Sequence, residues 1–486
     1  MKPNKINALV QNPLFFAGFL TIILLIVSIG EITVDEGMWG YIGKCFITNT
    51  KLPFQDITEN KTPGIYLLYA IGFLLFNFKS YLFVRMTGIV VSVFSSVMVY
   101  KIGSKIHSEK AGVLSMYVFG LAMAWRCVDG PWTGITENFM VLFSSLGFYF
   151  IIQQKCFKNL FLSGLMLGFA VSFKQIAIFT IPIIYLYANM DSDLNVKKRI
   201  QGIVLVSFGI LVGINIINLP LYLKGVSISE YIEGAWLILL DSGSGNSNLG
   251  HRLSLMLETF LNHRIVMLYP FLLLVLYRYS TFKKRMCFGL IIWVVFEFMG
   301  SNASGYYFGH QLKPFLLPMA LMIGIALQDT LDTIEIKKSY LMPLLLLILF
   351  FPYYSFIVAL KWIAFGENNY TEAINYIKEN TSERDLVVPL SVYSPPIVFL
   401  SGRDIPDEHI SIFHLSKDAV VLEHLNKIKS GKTKVIITEE GETIEDLLKG
   451  RYFNIKKEYT ERFQNYIKNN FTLELTSNKY CIYMKK

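Results

Sequence analysis

Residues 33–64, "TVDEGMWGYIGKCFITNTKLPFQDITENKTPG", place two adjacent acids (Asp35, Glu36), a second acidic pair (Asp56, Glu59) and then Lys61 directly after an apolar run. Charges beside a bilayer are costly, so a concentration of them asks for a chemical reading. A carboxylate takes the proton from an attacking hydroxyl. Cations hold a phosphate and stabilise its negative charge as it leaves. Both types recur further on beside apolar runs, at Asp129, Glu137, Lys174, His310 and Lys313. Converging on one cavity, they would suit transfer chemistry on a phosphorylated lipid. Each also has a plainer reading. Asp35 fits a helix cap, Lys61 a side chain snorkelling to headgroups, Glu137 an ion pair with Arg126, and Lys174 a turn at the surface. His310 fits a satisfied histidine, and Glu36 a solvated neighbour of Asp35. Asp35 and Glu36 form no Asp-x-Asp, and the five cysteines form no C-x-x-C pair. The expectation is therefore transfer without a cofactor or metal, with a divalent metal left open.

The elements that must position these residues are mostly membrane helices. The chain has 486 residues, 53% hydrophobic and 17% charged, with a mean hydropathy of +0.45. A soluble domain averages about 25% charged residues, so the balance indicates a multi-pass membrane protein. The net charge of +9 does not indicate nucleic acid, because the basic residues form no stripe and sit in short gaps between apolar runs. Those runs fall at 13–30, 81–100, 111–127, 135–153, 160–173, 176–189, 201–222, 264–277, 286–300, 311–328 and 341–361, which predicts about eleven spans. With the N-terminus in the cytoplasm, Lys and Arg are roughly threefold denser in the inner gaps, as the positive-inside rule requires. The first loop (31–80) and the C-terminus then lie outside. The apolar stretch 62–76 and the segment 34–46, with Trp39 and Tyr41 at headgroup level, are expected as interfacial helices.

From residue 367 the composition changes. "TEAINYIKEN" and "KDAVVLEHLNKIKSG" read as helices, "DLVVPL" and "TKVIITEE" as strands, and "FTLELTSNKYCIYMK" as a two-stranded hairpin. The domains expected are 1–366, which is transmembrane, and 367–486, a small extracytoplasmic α/β domain with no Gly-rich phosphate fingerprint. "DSGSGNSNLGH" (241–251) marks a mobile outer loop flanked by Arg252 and Arg264.

The pieces "VDEGMWGYIG", "ENKTPGIYLL", "RMTGIVVSVFSSVMVYKIGSKI", "TENFMVLF", "GLMLGFAVSFKQIAIF" and "SGYYFGHQLKPFLLPMALMIG", with "LSGR" at 400–403, together resemble the polyprenol-phosphate-sugar-dependent transferases of the GT-C class. The likeness is to glycosyltransferase family 39 and the aminoarabinose transferases, within the protein mannosyltransferase superfamily. It implies a GT-C fold in the plasma membrane and a polyprenyl-phosphate-sugar donor held in the bilayer. The acceptor would be a glycolipid, cell-envelope glycan or protein outside the cytoplasm. Asp35 would be the catalytic base, with Glu36 and Glu137 as further catalytic acids. Lys61 would bind the donor phosphate, helped by Lys174, Arg252 and Arg264, while Tyr41, Tyr307 and His310 would contact substrate. The chain has Asn60-Lys61-Thr62-Pro63 where relatives have Glu-Lys-Pro-Pro, so the acid directly before the lysine is missing. An oligosaccharide ligase or polymerase using lipid-diphosphate donors, a lipid or glycan transporter, and a non-catalytic scaffold remain as alternatives.

Overall fold

The structure, a computed structural model, describes residues 9–125, 133–153, 156–189, 195–238, 250, 254, 257–258, 268–278, 284–303, 309–333, 341–366, 369–411, 418–430, 432–441, 455–477 and 479–486. The first apolar run is helix α1 (Pro13–Val27), started by Asn12, whose side chain accepts the Leu14 N–H. The acid-rich stretch then forms α2 (Val34–Thr48). Thr33 and Glu36 close a reciprocal capping box at its start, and Asn49 ends it in the left-handed conformation.

Helix α2 does not present its aromatic rings to headgroups. Trp39 and Tyr41 are 1% and 0% exposed, because the helix is wedged between protein on both sides. Its small residues let it in: a Cβ on Gly37 would sit 2.4 Å from the backbone nitrogen of Pro396, and Gly40 meets the ring of Phe399. The expected headgroup contact of Trp39 and Tyr41 fails on that packing. The stretch 62–76 is helical as well. It forms α3 (Gly64–Phe76), which passes through the short 3-10 turn Asn77–Lys79 into α4 (Ser80–Ile106). The two together, Gly64–Ile106, are long and apolar enough to cross a membrane.

Next come α5 (Glu109–Met123), α6 (Thr136–Ile151), α7 (Phe157–Phe173), α8 (Ile181–Ala188) and α9 (Val196–Leu223). Helices α7 and α9 pack at backbone contact. A Cβ on Gly164 would lie 2.1 Å from the Val206 carbonyl oxygen, the close approach that small residues permit between membrane helices. The apolar series continues through α10 (Tyr269–Arg278), α11 (Lys284–Asn302), α12 (Lys313–Thr333), α13 (Leu341–Phe350) and α14 (Tyr353–Phe365). Helix α12 is buried on nearly every side, so the long apolar stretch in its middle reflects a central position.

About eleven spans are not all present as long apolar helices. Among the described residues, Gly64–Ile106, Val196–Leu223 and Gly309–Thr333 are long and apolar enough, and a fourth span arises if the bent pair Met342–Phe350 and Tyr353–Phe365 is one. The run 341–361, expected as one helix, bends by 54° there, where Pro352 removes a backbone donor. Other apolar helices, such as Pro13–Val27 and Phe157–Phe173, are shorter. Large apolar side chains nevertheless face outward, among them Leu75, Val90, Leu211 and Ile348, at 59–66% exposure. Such a surface suits lipid rather than water.

The C-terminal part contains α15 (Thr371–Asn380), β1 (Leu386–Pro389), α16 (Ser394–Ser401), α17 (Asp418–Ser430), β2 (Thr433–Thr438), α18 (Lys457–Asn470), β3 (Phe471–Thr476) and β4 (Cys481–Lys485). Its sheet runs β1-β2-β4-β3. The β1–β2 pair is parallel and the others are antiparallel. One apolar core joins this sheet to α2 and α3, through Tyr41, Tyr69, Phe399, Val435 and Ile482.

Candidate functional site: a carboxylate and lysine cluster at the start of α2

The capping box and one arginine fix the acid pair. Arg85, on α4, forks onto Glu36: its Nε donates to Oε1 and its Nη2 to Oε2, both at 2.6 Å. The remaining guanidinium hydrogens go to the carbonyls of Ser28, Gly30 and Glu31. Glu36 Oε2 also accepts the Thr33 N–H. Glu36 is thus a buried anchor tying the chain before α2 to α4, a structural task that leaves it little room for chemistry.

Asp35 is different. Successive helical residues point about 100° apart, and this carboxylate turns away from Arg85. Among the described residues it makes no hydrogen bond or ion pair. The groups acting on it are Lys61, Glu59, Lys174 and Glu137. Burial raises its pKa to about 6; Lys61 and Lys174 oppose the rise, and Glu59 and Glu137 add to it. The N-terminal cap of α2 is Thr33 and not Asp35.

The lysines are held by acids. Lys61 Nζ donates to Asn60 Oδ1 at 2.7 Å and lies 3.7 Å from Glu59 Oε1. The backbone of Lys61 is fixed by Tyr66, whose hydroxyl accepts its N–H and donates to its carbonyl. So the acid missing directly before Lys61 is supplied one position earlier, by Glu59. Lys174 follows the last residue of α7 in an extended conformation, which aims its ammonium inward to Glu137 Oε1. His310 Nε2 lies 3.7 Å from the same oxygen, and Thr136 Oγ1 donates to Oε2. Lys313 Nζ donates to Asn138 Oδ1 at 2.8 Å. A cavity of about 560 Å³ borders Glu59, lined also by Phe54, Thr58, Glu230 and Glu233.

Residues 60–217, which carry Lys61, Glu137 and Lys174, match the profile of the dolichyl-phosphate-mannose-protein mannosyltransferase family. The fold is similar to that of ArnT from Cupriavidus metallidurans bound to undecaprenyl phosphate. Identity is 10% and the TM-score 0.60, over 97% of this chain and 97% of that one. In its apo state the same protein gives 12% and 0.61, over 97% of each chain. The archaeal oligosaccharyltransferase AglB from Archaeoglobus fulgidus, in complex with an inhibitory peptide and a dolichol-phosphate, is 11% identical. Its TM-score is 0.55, over 98% of this chain and 74% of that one. By sequence over residues 60–217, and by fold over nearly its whole length, the chain is similar to these proteins. No curated protein matches it by sequence. The matched family and these structural neighbours are glycosyltransferases of the GT-C class.

Asp35, Lys61, Glu137, Lys174 and His310 lie within electrostatic reach of one another. Tyr41 does not join them: it is fully buried, and its hydroxyl accepts the Ile405 N–H at 3.3 Å in the packing against the C-terminal part. Arg252, Arg264, Tyr307, Arg126, Asp129 and the 241–249 part of the expected lid lie outside the described residues. Sequence reasoning missed Arg85. The available signal was an arginine four residues after Tyr81 in an otherwise apolar run, a costly placement that marks a task. It also missed Asn138, whose only sequence signal was its place beside Glu137.

Proposed function

We propose that this protein transfers a sugar from a polyprenyl-phosphate-linked donor to an extracytoplasmic glycolipid, cell-envelope glycan or protein, with inversion at the anomeric carbon. The observation that carries the reading is Asp35: a carboxylate without a hydrogen-bonding partner among the described residues, raised to about 6 by burial and flanked by two lysines. A base near neutrality both accepts a proton and is mostly ionised at physiological pH. In the proposed step the acceptor hydroxyl gives its proton to Asp35. Its oxygen bonds to the anomeric carbon as the bond to the phosphate oxygen breaks, and the lipid phosphate leaves as an anion.

Lys61, exposed at 24% of its side chain, is the proposed partner of that leaving phosphate. Lys174 is held on Glu137 and adds positive potential behind it. The cavity beside Glu59 is the proposed approach for the acceptor. Glu137, with His310, is proposed to hold Lys174 in place. The reading needs no metal or cofactor at this site. Because AglB, an oligosaccharyltransferase, shares the fold, transfer of an oligosaccharide is the second reading, with a lipid-diphosphate donor as its form.

The test is turnover of polyprenyl-phosphate and polyprenyl-diphosphate sugars by purified wild type and Asp35→Asn. The variant keeps size and hydrogen bonding and loses proton acceptance, so transfer should fall by roughly 10²–10⁴, with donor binding nearly unchanged. Normal turnover by folded Asp35→Asn would end the catalytic reading. Activity on diphosphate donors alone would favour the second. Mass spectrometry of envelope glycans and lipids with and without the protein would name sugar and acceptor.

A further inference from the structure

Residues 402–410 form the seam between the C-terminal part and the segment that leads to Lys61. Lys44 Nζ donates to the Gly402 carbonyl and pairs with Asp404 Oδ1, both at 3.1 Å. Lys51 Nζ donates to the Ile405 carbonyl at 3.0 Å and to the Asp407 carbonyl. The Thr58 N–H donates to the Glu408 carbonyl at 2.8 Å. Every one of these contacts spends a backbone carbonyl or an acid other than Asp407 and Glu408. The side chains of Asp407, Glu408 and His409 take no part in these contacts with Lys44, Lys51 and Thr58.

One ligand atom from each of those three lies within 4.8 Å of the others. Asp407 and His409 are 6% and 7% exposed. His409 Nε2 and Glu408 Oε1 are 3.6 Å apart, and a tetrahedral zinc ion with bonds of about 2.0–2.1 Å sets its ligands about 3.4 Å apart. A second observation comes from another element. His424 on α17, 1% exposed, is bonded through Nδ1 to Asp407 Oδ2. Its ring meets that of His409 edge-on at 5.7 Å between centroids, and its Nε2 is buried with no hydrogen-bond partner. Two imidazoles and two carboxylates gathered in an interior are a costly arrangement for a packing core. They match a cation site in which an outer group orients a ligating carboxylate.

We propose that Asp407, Glu408 and His409 bind a divalent cation of the zinc type, with His424 holding Asp407 in its ligating orientation. The ion's role is structural. It fixes the backbone carbonyls that hold Lys51 and Thr58, and so the segment running into Glu59 and Lys61. Mixed nitrogen and carboxylate ligands suit zinc better than calcium or magnesium, which prefer all-oxygen sites. Lys427 occupies Glu408 Oε2 at 2.7 Å and competes with the ion. It has a second partner in Glu423 at 3.1 Å, which receives it when the ion binds.

The experiment uses the full chain in detergent, stripped with a chelator and dialysed, with zinc alone as the probe. Elemental analysis and calorimetry should find one ion per chain lost in Glu408→Gln and His409→Gln, and a higher thermal unfolding midpoint with zinc. His424→Gln should weaken binding by about 10–100-fold, and Lys427→Met should strengthen it. The Lys427→Met arm stands even if a ligand variant fails to fold. No bound ion, or a bound ion insensitive to Glu408→Gln and His409→Gln, or equal affinity in Lys427→Met and wild type, would each overturn the site.

Discussion

At the scale of single residues, the chemistry depends on how Asp35 is charged. Its carboxyl is pushed to about 6 by burial, with Glu59 and Glu137 adding to the rise and Lys61 and Lys174 opposing it. A base works only when deprotonated. Transfer should therefore fall as pH drops through about 6 and level off above it, in profiles of kcat/KM. The neighbours set the position of that limb. Glu59→Gln removes a negative charge and should move the limb to lower pH; Lys61→Ala removes a positive charge and should move it higher. An acid limb that ignores both substitutions would mean that some other group titrates. Lys61→Ala should also weaken donor binding, because its contact with the lipid phosphate exists in the ground state as well as the transition state. Isothermal titration with the lipid phosphate alone measures this, and unchanged affinity would remove Lys61 from the phosphate site.

At the scale of elements, the acid pair divides its labour through one helix start. Glu36 closes the capping box and takes the Arg85 fork, so α2 is pinned to α4 and Asp35 is carried to a fixed place. The pair is buried, with side-chain exposures of 4% and 0%. Removing one partner strands a charge: Arg85→Met should lower stability by about 3–5 kcal/mol. The double variant Arg85→Met with Glu36→Gln should recover part of that loss. Thermal unfolding of the three proteins in one detergent checks it, and equal midpoints for Arg85→Met and wild type would show the fork to be without consequence. Lys174 depends on an element ending in the same way. Helix α7 stops at Phe173 and Lys174 adopts extended backbone, which is what turns its ammonium toward Glu137.

At the scale of the whole molecule, the proposed reading puts the site and the C-terminal part on one face and the basic gaps on the other. Single cysteines at the exposed positions Lys105 and Glu383, in a background without native cysteines, should be labelled from opposite sides of the membrane. Glu383→Cys should react in intact cells. Labelling of both from the same side would invert the site's location. The shared core of α2, α3 and the sheet also means that the C-terminal part packs directly on the helix carrying Asp35, and is not a separate appendage on a linker.

Some of this was legible in the residues. The apolar runs announced a helical membrane protein. The change in composition near 367 and the alternation in "FTLELTSNKYCIYMK" announced a strand pair, now β3 and β4. The acids and lysine of the first loop announced charge chemistry, because polar groups beside a bilayer are expensive whatever the fold. Other matters were settled only by the tertiary structure. Asp35 and Glu36 are neighbours of the same charge, and no local pattern separates them. Only Arg85, forty-nine residues beyond Glu36, does so. Tyr41 and Trp39 read as interfacial until α16 is seen to cover them. Nothing local to Asp407-Glu408-His409 brings His424 against them; the fold does so. Hydrophobic periodicity reports how much of an element is buried, whereas the identity of what buries it, and hence the partner and pKa of each charge, arises from contacts between residues far apart in the chain.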